Sequence, residues 1–156
     1  MRRKEKQMPK DEVYKYLKKC TVVRLALFDN EYPYIVPMNY GFENADGKDI
    51  LYMHCANDGK KLDLLKSNQK VGFEMDLDYG ITNDETPSEC TTKYASLIGT
   101  GLVEIVNSYT DKAHALSILM KEIAGREVQV FDKRIVDKTT ILKLTIKNIT
   151  GKTNID

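Results

Sequence analysis

No apolar run in this chain is longer than a strand, and the basic cluster Arg2, Arg3, Lys4 and Lys6 is not followed by one. Neither a signal peptide nor a membrane span is therefore expected. Cysteine is scarce: Cys20, Cys55 and Cys90 are an odd number at wide spacing. That pattern fits neither a disulfide framework nor a CxxC metal site, and the cytoplasm is the expected compartment. Histidine is scarcer still. His54 and His114 form no HxH or HxxxH pair, which argues against a zinc enzyme and leaves no expected metal site. A surplus of one charge is also missing, since 24 Lys and Arg face 23 Asp and Glu for a net +1. No global field recruits nucleic acid, and four basic residues at one terminus read as solvation.

Hydrolytic machinery is equally sparse. There is no GxSxG turn. Within a strand Cys55 faces away from His54, so the two cannot act as a nucleophile pair. Cys90 lies in a polar stretch without a visible base, and Asp76, Asp78, Asp84 and Glu85 read as solvated carboxylates.

What is present is a chain of 156 residues, 42% hydrophobic and 30% charged, enough for one domain over residues 1–156 with its own core. Residues 11–20 place Val13, Tyr16, Leu17 and Cys20 on one helical stripe, with a start at Pro9 and Asp11. A first strand is expected over 21–28. A second spans 32–42, where Tyr34, Val36, Met38, Tyr40 and Phe42 alternate onto one face. Pro37 cannot donate to a ladder, so part of that strand belongs at an edge or beside something that is not another strand. A turn at 44–47 leads to a strand over 49–56, then a helix that Asp58 caps and that faces Leu62 and Leu65 inward. Strands follow at 70–78 and 93–107, the latter with Gly99 and Gly101 as bulge positions, separated by a loop over 79–91. A helix over 111–124, capped by Thr110, turns Ala113, Leu116, Met120 and Ile123 inward, and a last strand covers 140–149. The expected fold class is mainly β (α+β): a six-stranded antiparallel split β-barrel with flanking helices.

The most informative segment is DILYMHCANDGKKLDLLK at 49–66. A strand ends, a tight turn follows, and a helix opens with Gly59, Lys60 and Lys61. Such a terminus presents unsatisfied N–H groups and a partial positive charge, which suit an anion. Lysines there oppose the helix dipole unless an anion compensates, and a phosphate would do so. Solvated lysines are the competing reading, and local physics leaves both open, because GKK is not the GxxxxGK[ST] pattern. His54, at the end of its strand, is either a half-buried hydrogen-bonded residue or a ligand contact and proton donor beside that turn. His114 falls on the polar side of its helix and reads as surface.

Three segments in order, MRRKEKQM, then YPYIVPMNYGF with LYMHCANDGKKLDLL, then YASLIGTGLVEIV, together with Thr150-Gly151-Lys152, resemble the pyridoxamine 5′-phosphate oxidase-like FMN-binding split barrels. Within that family the likeness is to the nitroimidazole-resistance (Nim) reductase-like branch. The resemblance implies a homodimer with FMN at the subunit interface. It puts the backbone of Val36, Pro37, Met38 and Asn39 beside the isoalloxazine ring, and His54, Cys55 and Ala56 along the ribityl and phosphate end. Lys60 and Lys61 would bind the phosphate, with Tyr94 and Ser96 completing the site from one subunit or the other. The arginine-rich signatures of vitamin B6 oxidation are missing, since Tyr32-Pro33-Tyr34 and Gly59-Lys60 occupy the comparable region.

An FMN-dependent oxidoreductase acting on small nitroaromatic or related acceptors is therefore the leading expectation, with His54 as its catalytic proton donor. A flavin-binding module without turnover and a haem-binding split barrel ligated by His54 are the alternatives. No nucleic acid and no membrane is expected as a partner.

Overall fold

Alternating apolar residues fold most of this chain into strands, and the strands form one antiparallel sheet. The computed structural model describes residues 4–82 and 90–155. A 3-10 turn at Lys4–Lys6 precedes α1 (Lys10–Lys19), β1 (Val22–Leu27), β2 (Tyr34–Asn39), β3 (Gly41–Ala45) and β4 (Lys48–Cys55). Then come α2 (Lys60–Ser67), β5 (Lys70–Ile81), β6 (Thr92–Val106), α3 (Tyr109–Ala124), α4 (Lys133–Asp137) and β7 (Thr140–Asn154). The strand order is β2-β1-β5-β6-β7-β4-β3.

This corrects the expected six-stranded barrel: there are seven strands among the described residues, in a sheet that does not close. The expected strand over 32–42 breaks at Tyr40. Its first half pairs with β1 and its second with β4, so β2 and β3 are the two outer strands of the sheet. The apolar alternation runs straight through the break, because Tyr40 is itself buried and donates its hydroxyl to the Leu17 carbonyl at 2.5 Å. Gly41, the next residue, lies so close to α3 that an added Cβ would stand 2.8 Å from Ile118 Cγ2. One chain segment thus links opposite edges of a curled sheet.

The main core fills the concave side of the sheet, with Leu25, Leu51, Met53, Met75, Leu97 and Leu144 fully buried under α1 and α2. Each such side chain stabilises the fold by about 1.5–3 kcal/mol through burial. A second cluster lies on the outer side, where Ile50, Tyr52 and Ile141 pack against Ala115 and Leu119 of α3. The expected inward stripe of α3 is therefore rotated. Ala115 and Leu119 are buried, whereas Ile123 is 47% exposed. The helix also begins earlier than expected, with Ser108 and not Thr110 as cap, its Oγ accepting from the Asp111 N–H at 3.1 Å. Pro37 does stand on an outer strand, and the β6–β7 register slips between Thr100 and Gly101, as the glycines suggested. The last strand extends past the expected 149 to Asn154. No helix among the described residues is long and apolar enough to cross a membrane.

Candidate functional site

The junction of β4 and α2 is built by residues far apart in sequence. Asn57 Nδ2 donates to the Asp137 carbonyl at 3.0 Å, and Thr140 Oγ1 donates to Asn57 Oδ1 at 2.7 Å. These bonds anchor the turn to the start of β7. Asp58 does not cap α2. Gly59 occupies that position at φ 125° and ψ 158°, a region open essentially only to glycine, and no side chain caps the helix. A Cβ added at Gly59 would meet nothing within 4 Å, so the space in front of the helix terminus is open. The Leu62 N–H bonds back to the Gly59 carbonyl at 2.9 Å, no side chain caps the terminus, and the positive end of the helix dipole faces that space.

The two lysines differ. Lys60 Nζ lies 2.6 Å from Asp29 Oδ2 and 5.1 Å from the centre of the Tyr34 ring. The Asp29 carboxylate raises the Lys60 pKa. Lys61 is half-buried, and its charge acts on Cys55, the half-buried last residue of β4. Burial pushes the Cys55 thiol up, while Lys61 opposes that rise. His54 is exposed on the opposite face of β4 from Cys55, and Ala56 is exposed in the turn.

Tyr34 begins β2, so the Lys60 contact brings the helix terminus to an edge strand. Val36 and Met38 turn inward, and Met38 is buried. Pro37 and Asn39 are exposed on the outer face, where Asn39 Nδ2 donates to the Thr21 carbonyl at 2.9 Å. The second edge of β2 carries no ladder partner among the described residues. Cys55, Ala56, Lys60, Lys61 and the edge strand thus form one neighbourhood.

Tyr94 and Ser96 lie elsewhere. Both point to the outer face of β6, which is separated from β2 by β1 and β5. Three strand spacings put them roughly 14 Å from β2. Between them lies Arg24, whose Nη1 stands 2.9 Å from Glu74 and 2.5 Å from Asp76. Burial raises the Glu74 pKa, and Arg24 counteracts it.

His114 is on the surface, as expected, but it is engaged. Its Nε2 is 3.0 Å from Glu43 Oε1, and its ring meets Tyr52 edge-on at 6.0 Å. The Tyr52 hydroxyl, pushed up to about 12 by burial and then by Glu43, donates to Glu43 at 3.1 Å. Nothing in the local sequence pairs these three, because they come from β3, β4 and α3. Of the carboxylates, Asp76 and Asp78 are exposed on β5, while Asp84 and Glu85 lie outside the described residues; Cys90 is exposed.

The fold is thus an unclosed antiparallel sheet with flanking helices, and it carries an uncapped, glycine-led helix terminus beside its outer strand. The chain belongs to the pyridoxamine 5′-phosphate oxidase family, whose model matches residues 9–153. It is similar to the structure of a candidate 5-nitroimidazole antibiotic resistance protein from Bacteroides thetaiotaomicron. That match has 26% identity and a TM-score of 0.81, and it covers 94% of this chain and 85% of that one. A flavocytochrome from Azotobacter vinelandii shares the fold at 15% identity and a TM-score of 0.81, over 100% of this chain and 72% of that one. So does a FAD- and haem-binding protein from Mycobacterium smegmatis, at 19% identity and a TM-score of 0.79, over 96% and 73%. No curated protein sequence matches the chain.

Proposed function

We propose that this chain binds FMN as a homodimer and uses it to reduce small nitroaromatic or related acceptors. The observation that carries the reading is the uncapped start of α2, with Gly59 in a glycine-only conformation, set against the open edge of β2. That pairing suits a ligand with an anionic tail and a planar hydrogen-bonding head, which describes a flavin mononucleotide. The first-turn N–H groups of α2 and the ammonium of Lys61 bind the phosphate. Cys55 and Ala56 border the linker between tail and ring. The backbone of Val36, Pro37, Met38 and Asn39 lies along the ring, where Pro37 forfeits no ladder bond because β2 is an edge.

Tyr94 and Ser96 are too far along the sheet to reach the same ring from the same chain, and they point to its outer face. A second copy supplies them. FMN, when bound, supplies the redox chemistry, so the protein needs no nucleophile of its own. His54 is assigned the transfer of a proton from its imidazole N–H to reduced substrate. The nitroaromatic substrate class rests on the likeness to the candidate nitroimidazole resistance protein.

The first test is the visible absorption spectrum of protein purified without added cofactor, with any released chromophore identified by mass. A yellow protein releasing FMN, one per chain, is expected. A strong Soret band would replace FMN by haem, and a colourless protein that ignores added FMN would overturn the reading. With a nicotinamide donor and nitroaromatic acceptors, His54→Ala is expected to lower turnover more than flavin affinity. Full turnover in that variant would remove His54 from the chemistry.

A further inference from the structure

Lys60 and Lys61 are adjacent at the same helix terminus, yet they face different surroundings. Lys60 carries its charge to Asp29 at 2.6 Å and over the Tyr34 ring at 5.1 Å. The Asp29 side chain is only 21% exposed, so its carboxylate is held at that spot and is not a freely moving surface charge. The contact fastens the β1–β2 turn to the start of α2. An anion arriving in front of Gly59 therefore meets a Lys60 that is already paired with a carboxylate. Lys61 is half-buried, its charge acts on Cys55, and it forms no ion pair among the described residues.

We infer that Asp29 sets the strength of phosphate binding by sequestering Lys60, and that Lys61 alone of the two lysines serves the phosphate. The inference rests on the flavin reading for the identity of the ligand but not for the division of labour. Asp29 is a positioning residue: it acts through Lys60 and sets how tightly an anionic tail is held relative to the same ligand without one. A surface ion pair of this kind is weak and gives way to salt. It nevertheless offsets part of the Lys60 charge at a site whose other attractions are a helix dipole and one lysine.

The experiment compares dissociation constants for FMN and riboflavin, which differ by the phosphate, in the wild type and in Asp29→Asn, Lys60→Met and Lys61→Met. The affinity ratio of FMN to riboflavin isolates the phosphate contribution and cancels general effects on the ring site. Lys61→Met is expected to lower the ratio by about tenfold or more, the loss of one charge-assisted bond. Lys60→Met is expected to change it by less than about threefold. Asp29→Asn is expected to raise it about three- to tenfold by releasing Lys60, and that gain is expected to vanish in the Asp29→Asn, Lys60→Met double variant. A lower or unchanged ratio in Asp29→Asn overturns the inference, as does a Lys60→Met loss equal to that of Lys61→Met. If the wild type binds neither flavin, the flavin reading fails by itself. The same variants are then titrated with inorganic phosphate by calorimetry: the same order of affinities upholds the role of Asp29, and any other order, or no binding, overturns it.

Discussion

At Gly59 the backbone stands at φ 125° and ψ 158°, where a side chain is strained even though the space in front is empty. Gly59→Ala is therefore expected to cost about 1–3 kcal/mol in urea unfolding, or to shift the turn and weaken FMN binding. A variant with unchanged stability and unchanged affinity would mean the conformation is dispensable. Cys20, which ends α1, makes a second residue-scale case. Burial pushes its thiol from the ordinary 9.0 to about 11. The folded protein favours the neutral thiol, so this contribution is complete below pH 9.0 and is lost as the pH rises to about 11. Within that window each pH unit removes up to about 1.4 kcal/mol. Tyr52, ordinarily at 10.0 and here pushed up to about 12, is lost later. Urea midpoints followed upward from neutral pH are expected to fall from about pH 9, and Cys20→Ala is expected to lessen that early fall, to which the raised Cys55 thiol also contributes. An identical slope in that variant would assign the fall to another group.

Elements record how far local patterns reach. Ser108 starts α3 by accepting from the Asp111 N–H, while Thr110 sits inside the first turn. Ser108→Ala is expected to cost about 1 kcal/mol in unfolding free energy and Thr110→Ala much less. Equal costs would return the cap to Thr110. Both residues are good caps by type, so composition could not choose between them. The strands were legible because Val71, Phe73 and Met75 or Leu142 and Leu144 alternate against polar neighbours on an amphipathic sheet. The break at Tyr40 was not, because the alternation continues across it while the pairing partner changes. The stripe of α3 was misjudged for a related reason. Only part of its circumference meets β3 and β4, and periodicity alone does not say which part. At the site, the glycine-led start of a helix at Gly59, Lys60 and Lys61 was legible. The Asn57 bonds to Asp137 and Thr140, and the Asp29 contact of Lys60, join residues tens of positions apart, which no local pattern encodes.

For the molecule as a whole, the outer face of β2-β1-β5-β6 decides whether the proposed site can be complete. Register aligns Pro37, Arg24, Glu74 and Ile98 in one row across it. Ile35 and Ile98 are 63% and 60% exposed, with Phe28 at 63% on the adjoining turn. Exposed apolar side chains on a sheet face are a surface that a partner can cover. Their neighbour is the Arg24, Glu74 and Asp76 cluster, which supplies polar pairing beside them. In the proposed homodimer a second copy on this face would supply Tyr94 and Ser96 to the first copy's site, and dimerisation and FMN binding would then be one equilibrium. A stable contact needs about 800 Å² from each copy, and a charge at the centre of such an area is costly. Ile98→Lys is therefore expected to yield a monomer by light scattering, to keep the far-ultraviolet dichroism of the wild type, and to lose FMN. A monomer that retains FMN would confine the site to a single chain and free Tyr94 and Ser96 from it. A dimer that persists would move the interface to another face.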